Sequence, residues 1–274
     1  MGTGPPEGVG RPARSVVTWP ATTPHADGAL IDAARGALAA AADPVKAPEM
    51  QRYMRSALPF FGVQRPGRAA IVRAVFAAHP LDGFEAWHDT ALALWREATH
   101  REERYLALAL LRDRRYRAHR ATPVGGLAVG RTAAHRASDT PALIPLCDEL
   151  VVTGAWWDLV DEVATQLLGE LLLRDPDALA PVLRAWARDD DLWRRRAALV
   201  AQVKAKDRTD VALLTDCIEP NLRDPDFFMR KGIGWALRAY SAIDAAWVAA
   251  FCETHAATLS PLSRREALKH VAQR

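Results

Sequence analysis

The stretch Asp224-Pro-Asp-Phe-Phe-Met-Arg-Lys-Gly-Ile-Gly-Trp-Ala-Leu-Arg-Ala-Tyr240 decides the fold class. Asp224 before Pro225 reads as a helix start. The carboxylate accepts from N–H groups that have no partner, and proline loses only an N–H that the first turn does not use. Met229, Ile233, Leu237 and Tyr240 then recur at helical spacing and form one apolar stripe. Trp235 stands two residues from Ile233, about 200° around the helix, and so points away from that stripe. Phe228, Lys231, Trp235 and Arg238 share its face. A tryptophan flanked by cations is a stacking platform, or else it packs under a neighbouring repeat, since solenoid helices bury two faces. Gly232 and Gly234 inside this pattern read as close helix packing.

The same pattern extends outward over most of the chain. Asp43-Pro44, Asp175-Pro176 and Ser260-Pro261 repeat the capping signature. Helices are predicted over 28–42, 44–58, 66–79, 83–97, 101–118, 139–152, 154–169, 176–188, 190–206, 208–221, 225–240, 243–256 and 261–273. No run of β-branched alternation competes with them. Short joints make successive helices antiparallel neighbours. Helix pairs of about 35–45 residues in succession indicate an all-α fold, an α-solenoid of HEAT-like repeats, with a globular helical bundle as the alternative. Residues 1–27, rich in Gly, Pro and Thr, read as a flexible tail before a repeat domain over 28–274. The long joint at 119–138, with Pro123, Gly125, Gly126 and Gly130, reads as an Arg-rich loop insertion.

Composition narrows the class. The 274 residues are 50% hydrophobic and 25% charged, which excludes disorder for most of the length. No run of about 18 apolar residues spans a bilayer, and the N-terminus lacks the apolar core of a signal peptide, so a cytoplasmic location is expected. Cys147, Cys217 and Cys252 are isolated, so neither a zinc site nor a disulfide framework is indicated. The net charge of +3 is unevenly spread, with a balance of +5 over 194–274 and −2 over 1–193. That asymmetry fits a field for an anionic polymer, or simply solvated helix faces.

Two further helices carry chemistry. In 154–169, Trp156, Val160, Val163 and Leu167 form the core stripe, and Trp157 and Asp161 pair at i, i+4 on its edge. An aspartate beside an indole can stabilise a developing cation, or it can be a surface acid paired with an arginine. Asp158 and Glu162 read as surface acids of that kind. In 190–206, three aspartates at the start suit the helix dipole, and Arg194, Arg195 and Arg196 follow. Arg196 and Lys204 lie on one side, the geometry either of phosphate contacts or of ordinary salt bridges. No dinucleotide fingerprint, P-loop, HExxH or GxSxG is present, which disfavours metal, nucleotide and serine mechanisms; no cofactor is expected.

Several segments together resemble the AlkD family of DNA alkylation-repair glycosylases. They are Gln51-Arg-Tyr-Met-Arg-Ser, Pro59-Phe-Phe-Gly-Val-Gln, Arg101-Glu-Glu-Arg-Tyr, Val152-Thr-Gly-Ala-Trp-Trp-Asp-Leu-Val-Asp161, Leu192-Trp-Arg-Arg-Arg-Ala-Ala, the 226–240 segment, and Ser260-Pro-Leu-Ser-Arg-Arg-Glu-Ala-Leu-Lys-His270. The likeness runs in order over about 28–273.

The resemblance implies HEAT-like pairs curved around a concave basic groove for duplex DNA. It also implies excision of cationic N3- and N7-alkylated purines without base flipping. By motif position the catalytic residues are Asp161, Trp157 and Trp235, and the DNA-backbone contacts are Tyr53, Gln64, Arg65, Arg196, Lys204 and Arg238. Arg65 stands where relatives often carry a small hydroxyl residue. The implied enzyme is a monofunctional glycosylase, because no lysine nucleophile is indicated, and a monomer. The competing functions are a non-catalytic DNA binder, which would tend to lose Asp161 and the tryptophans, and a HEAT scaffold for proteins. A self-resistance glycosylase for a DNA-alkylating natural product is a narrower variant of the first reading.

Overall fold

The computed structural model describes residues 22–121 and 143–269, and the described chain is helical with no strand among those residues. The helices are α1 (Gly28–Ala40), α2 (Lys46–Met54), α3 (Arg65–Ala78), α4 (Gly83–Arg96), α5 (Arg101–Arg112), α6 (Leu143–Gly154), α7 (Trp157–Glu162), α8 (Gly169–Arg174), α9 (Pro176–Trp186), α10 (Leu192–Val200), α11 (Val211–Ile218), α12 (Phe227–Ser241), α13 (Ala245–Thr254) and α14 (Pro261–Ala267). A π-helical segment, Val163–Leu168, joins α7 to α8 without a break. The expected stop near residue 169 is therefore absent. Most of the inferred tail (1–21) and of the insertion (122–138) lies outside the described residues. Residues 22–27 lead to α4: the N–H groups of His25 and Asp27 donate to Asp89 and Thr90.

The helices stack as an α-solenoid of HEAT-like pairs. One layer runs α3, α5, α7 with its π segment, α10, α12 and α14, each packed on the next. Every candidate site residue except Tyr53 and Lys204 is carried by this layer or, for Gln64, by the cap of α3. Apolar stripes bury Trp87, Trp95, Phe76 and a long set of leucines between it and the other layer, as helical periodicity requires.

Several helix ends differ from the sequence expectation, each for a local reason. Asp175 and Ser260 cap α9 and α14 as expected. At the fold-deciding stretch the cap is Asp226, which accepts from Phe228 and Met229, while Asp224 accepts from the N–H of Asp226 one step earlier. The helix expected over 190–206 ends at Val200, because Gln202 bonds both the N–H and the C=O of Asp210 and turns the chain. The helix expected over 101–118 ends at Arg112, where the Asp113 carboxylate takes the N–H of Arg115 and opens a short 3₁₀ turn. The helix expected over 44–58 shortens to nine residues.

Buried acids organise the approach to the site. Glu102, with no exposed surface, accepts from the N–H groups of Phe61, Gly62 and Val63. Glu103, equally buried, accepts from Thr99, His100 and Arg35. A carboxylate spent on loop N–H groups satisfies donors that would otherwise be orphaned, at the cost of its own desolvation. It also fixes the loop that delivers Gln64 and Arg65 to the start of α3. Gly62 is required there: its φ is +86°, and a Cβ would lie 2.2 Å from the Asp43 carbonyl oxygen.

Candidate active site

The site is built on the first turns of α7. Gly154 lies against the Trp95 ring, where a Cβ would sit 3.2 Å away. Ala155 follows with φ +41°, a conformation that a residue bearing Cβ rarely adopts. Trp156 is extended and precedes the helix instead of heading its core stripe. Its ring packs among Trp193 and Phe228, with centroids at 6.1 and 5.3 Å. The helix therefore starts at Trp157, and the π segment after Glu162 shifts the register. Such insertions recur where a helix must re-aim side chains.

Asp158 is clamped from α5. Arg101 Nη2 and the Tyr105 hydroxyl each donate to it at 2.5 Å. Burial and the Asp158 charge push the Tyr105 phenol up, so it stays a neutral donor. Glu162 pairs with Arg112, also on α5. Both acids pair with arginines as expected, but Asp158 is largely buried rather than a surface acid, and together they dock α7 on α5.

Asp161 faces the other way, toward α10. Arg196 Nε and Nη2 donate to its two carboxylate oxygens at 2.7 Å each. The side chains are 16% and 6% exposed, so the pair is largely buried. Burial pushes the Asp161 carboxyl up, Arg196 pulls it down, and Asp158 one turn away adds a further upward push; the net direction is up. Arg196 Nη1 also donates to the Phe228 carbonyl at 2.5 Å. The approach is possible because α12 carries Gly232, where a Cβ would lie 3.3 Å from that nitrogen. One guanidinium thus joins α7, α10 and α12, and its fork is turned inward rather than lying free along a row with Lys204. Its neighbours diverge as well: Arg194 grips Asp148 of α6 and Arg195 grips Asp224.

Trp157 and Trp235 are both partly buried against the core. Trp235 lies one turn beyond Gly232, on the helix that Arg196 touches. Its flanking cations are engaged: Lys231 at 2.8 Å and Arg238 at 2.6 Å share the carboxylate of Glu266 on α14. The hydrogen bond from Lys231, and then the charge of Arg238, hold Glu266 below the usual carboxylate range. Gly234 lets α14 approach, since a Cβ there would lie 2.5 Å from Glu266 Cβ and 3.0 Å from the Ser263 carbonyl oxygen. We expect Gly234→Ala to destabilise the protein by about 1–3 kcal/mol, the usual range for overpacking. Urea unfolding measures it; an unchanged midpoint would mean that α14 yields freely.

The other inferred DNA contacts present themselves to solvent. Tyr53 is 74% exposed on α2. Gln64, Arg65 and Lys204 are exposed, and none has an ion-pair partner among the described residues. Arg112 was not singled out from sequence, yet it links two of them. Burial lowers its basicity first, and Arg65 lowers it further. Burial and then Arg112 lower that of Lys204. Arg65 on α3, Arg112 on α5 and Lys204 in the turn after α10 therefore act on one another, with Arg112 also paired to Glu162. Among the described residues, no cluster of His, Cys, Asp and Glu could hold a metal ion, and no helix is long and apolar enough to cross a membrane.

The site thus consists of a largely buried carboxylate paired with one arginine, with Trp157 on the same helix and Trp235 on the helix that this arginine reaches. A family model described as DNA alkylation repair enzyme matches residues 34–271, and the chain belongs to that family. Its fold is similar to a solved structure described as a predicted DNA alkylation repair enzyme from Enterococcus faecalis. The TM-score is 0.68 and the identity 25%, over 85% of this chain and 98% of that one. The comparison with curated proteins returns no match.

Proposed function

We propose that the protein is a monofunctional DNA glycosylase that hydrolyses the N-glycosidic bond of cationic N3- and N7-alkylated purines in duplex DNA. It acts as a cytoplasmic monomer, needs no cofactor, and does not flip the base. The observation that carries this reading is the Asp161 carboxylate, gripped by Arg196, on the helix that carries Trp157; the same guanidinium reaches α12, which carries Trp235. Departure of an alkylated purine leaves an oxocarbenium-like cation on the sugar. A preorganised carboxylate in a largely dry site stabilises that charge and can orient the attacking water. The fork of Arg196 occupies one side of the carboxylate, and an ionised carboxylate still has lone pairs to offer on the other. The indoles supply cation–π surface for the sugar and the lesion. Exposed Tyr53, Gln64, Arg65 and Lys204 suit the strand backbone, with Arg238 shared between Glu266 and phosphate.

Substrate choice then follows the charge and lability of the lesion. The sequence offers no evident set of polar groups arranged to read a flipped base edge among the described residues, so selection rests on something other than hydrogen bonding to the base. We expect release of 3-methyladenine, 7-methylguanine and bulkier N3- or N7-adducts, and little release of hypoxanthine, uracil or 1,N6-ethenoadenine. Base release from a duplex panel carrying these lesions tests it. Rapid excision of hypoxanthine with slow release of 7-methylguanine would contradict the mechanism.

A further inference from the structure

Most arginines that leave bulk water in this protein meet a carboxylate. Arg96 meets Glu149, Arg101 meets Asp158, Arg194 meets Asp148 and Arg196 meets Asp161. Arg68 on α3 does not. It is partly buried, and among the described residues no carboxylate lies within ion-pair distance of it. Its guanidinium sits over the Tyr105 ring at 4.4 Å, and Nη1 donates to the Val63 carbonyl at 2.7 Å. The two nearest acids are already committed, Glu102 to three loop N–H groups and Asp158 to Arg101 and Tyr105. Burial lowers the basicity of Arg68; Tyr105, Glu102 and Asp158 offset part of that without an ion-pair contact, and Arg65 one turn earlier lowers it again. Arg104 is a second arginine of this kind. It also lacks a carboxylate and stacks on Trp95, but it bonds Thr153 C=O in the last turn of α6, where the helix dipole favours a cation.

We propose that Arg68 is a further DNA-backbone residue of this site, held ready on the Tyr105 ring to take a phosphate of the strand that passes Trp157. The proposal rests on the glycosylase reading above, which supplies the duplex. A cation partly withdrawn from water and left unpaired gains most from an incoming anion, and a guanidinium offers a planar fork for phosphate oxygens. Its place supports this. Arg68 lies one turn from exposed Arg65 and Gln64 on the same face of α3. Through Tyr105 it is two contacts from Asp158, the residue after Trp157. Stacking fixes the guanidinium plane before the ligand arrives, which reduces the ordering cost of binding.

The test is binding of an undamaged duplex as a function of salt. Arg68→Gln keeps a donor for Val63 and loses the charge. We expect affinity to fall by about tenfold, as for one charge-assisted contact, and the slope of log affinity against log salt to shrink by about one unit. Its melting temperature should equal or exceed that of the wild type, since an unpaired cation is removed. Arg68→Lys should restore the slope. Wild-type affinity and slope in Arg68→Gln would overturn the proposal and leave a packing role. Protection of Arg68 from phenylglyoxal by the duplex, read by peptide mass, needs no variant; an unprotected Arg68 in the saturated complex also overturns it. If the wild type itself binds no duplex at low salt, the glycosylase reading fails, an outcome distinct from an indifferent Arg68.

Discussion

Asp161→Asn is expected to lower single-turnover excision of 7-methylguanine by about 10²–10³-fold while leaving affinity for undamaged duplex within a few-fold of wild type. Removing one preorganised electrostatic group from a site of developing charge costs about 2.7–4 kcal/mol of barrier. Asparagine keeps the size of the side chain and one acceptor for Arg196, but it cannot offset a sugar cation. Binding is carried elsewhere, by exposed Arg65, Lys204 and Gln64 and by Arg68. The loss should therefore appear in the rate of the bound complex and not in the dissociation constant. A variant that excises as fast as wild type would remove Asp161 from the mechanism.

A pH profile adds an independent reading. The Asp161 carboxyl lies above its ordinary value because burial outweighs the Arg196 pull. Activity needs the charged form. The excision rate should therefore fall on the acid side, with a midpoint above that of an ordinary aspartate, and be flat toward neutral pH. Asp161→Asn should lack that limb.

The fold was legible because an apolar stripe states a helix directly. Met229, Ile233 and Leu237 are fully buried, and Gly232 and Gly234 are the close-packing positions they were read to be. What the helical wheel could not state was the partner of each polar side chain. Arg196 and Lys204 share a side only if the helix continues, and the side chain of Gln202 ends that possibility. The run Arg101-Glu102-Glu103-Arg104-Tyr105 has the composition of a solvated face, yet Glu102 and Glu103 are wholly buried. Their partners are loop N–H groups from residues about 40 positions earlier or at the helix start. No local pattern announces such long-range satisfaction of backbone donors. Arg68 carries no local mark for the same reason: what distinguishes it is the absence of an acid at ion-pair distance in space, which only the assembled layer sets.

Arg196→Met should destabilise the fold by about 3–5 kcal/mol near neutral pH, and Asp161→Asn combined with it should recover much of that loss. Deleting one member of a buried pair leaves the other charged and unpaired, and that penalty is the larger part of the effect. In the double variant no unpaired charge remains. The residual deficit is the Phe228 carbonyl that Arg196 had satisfied, about 1–3 kcal/mol. The pH dependence carries a definite sign. In the wild type the Asp161 carboxyl already titrates above its unfolded value, so between the two values the native state binds more protons and stability falls as pH rises. Arg196→Met removes the principal downward pull, so the carboxyl moves further up and the window widens toward neutral pH. The single variant's deficit should therefore be largest at neutral and alkaline pH and shrink as pH falls through the raised value, whereas the double variant, which has no carboxyl at 161, should show no pH dependence of its own stability from this site. Urea unfolding of the four proteins at several pH values closes the cycle. Equal deficits for Arg196→Met at all pH values, with additive losses in the double variant, would show that Arg196 and Asp161 are neighbours and not a coupled pair.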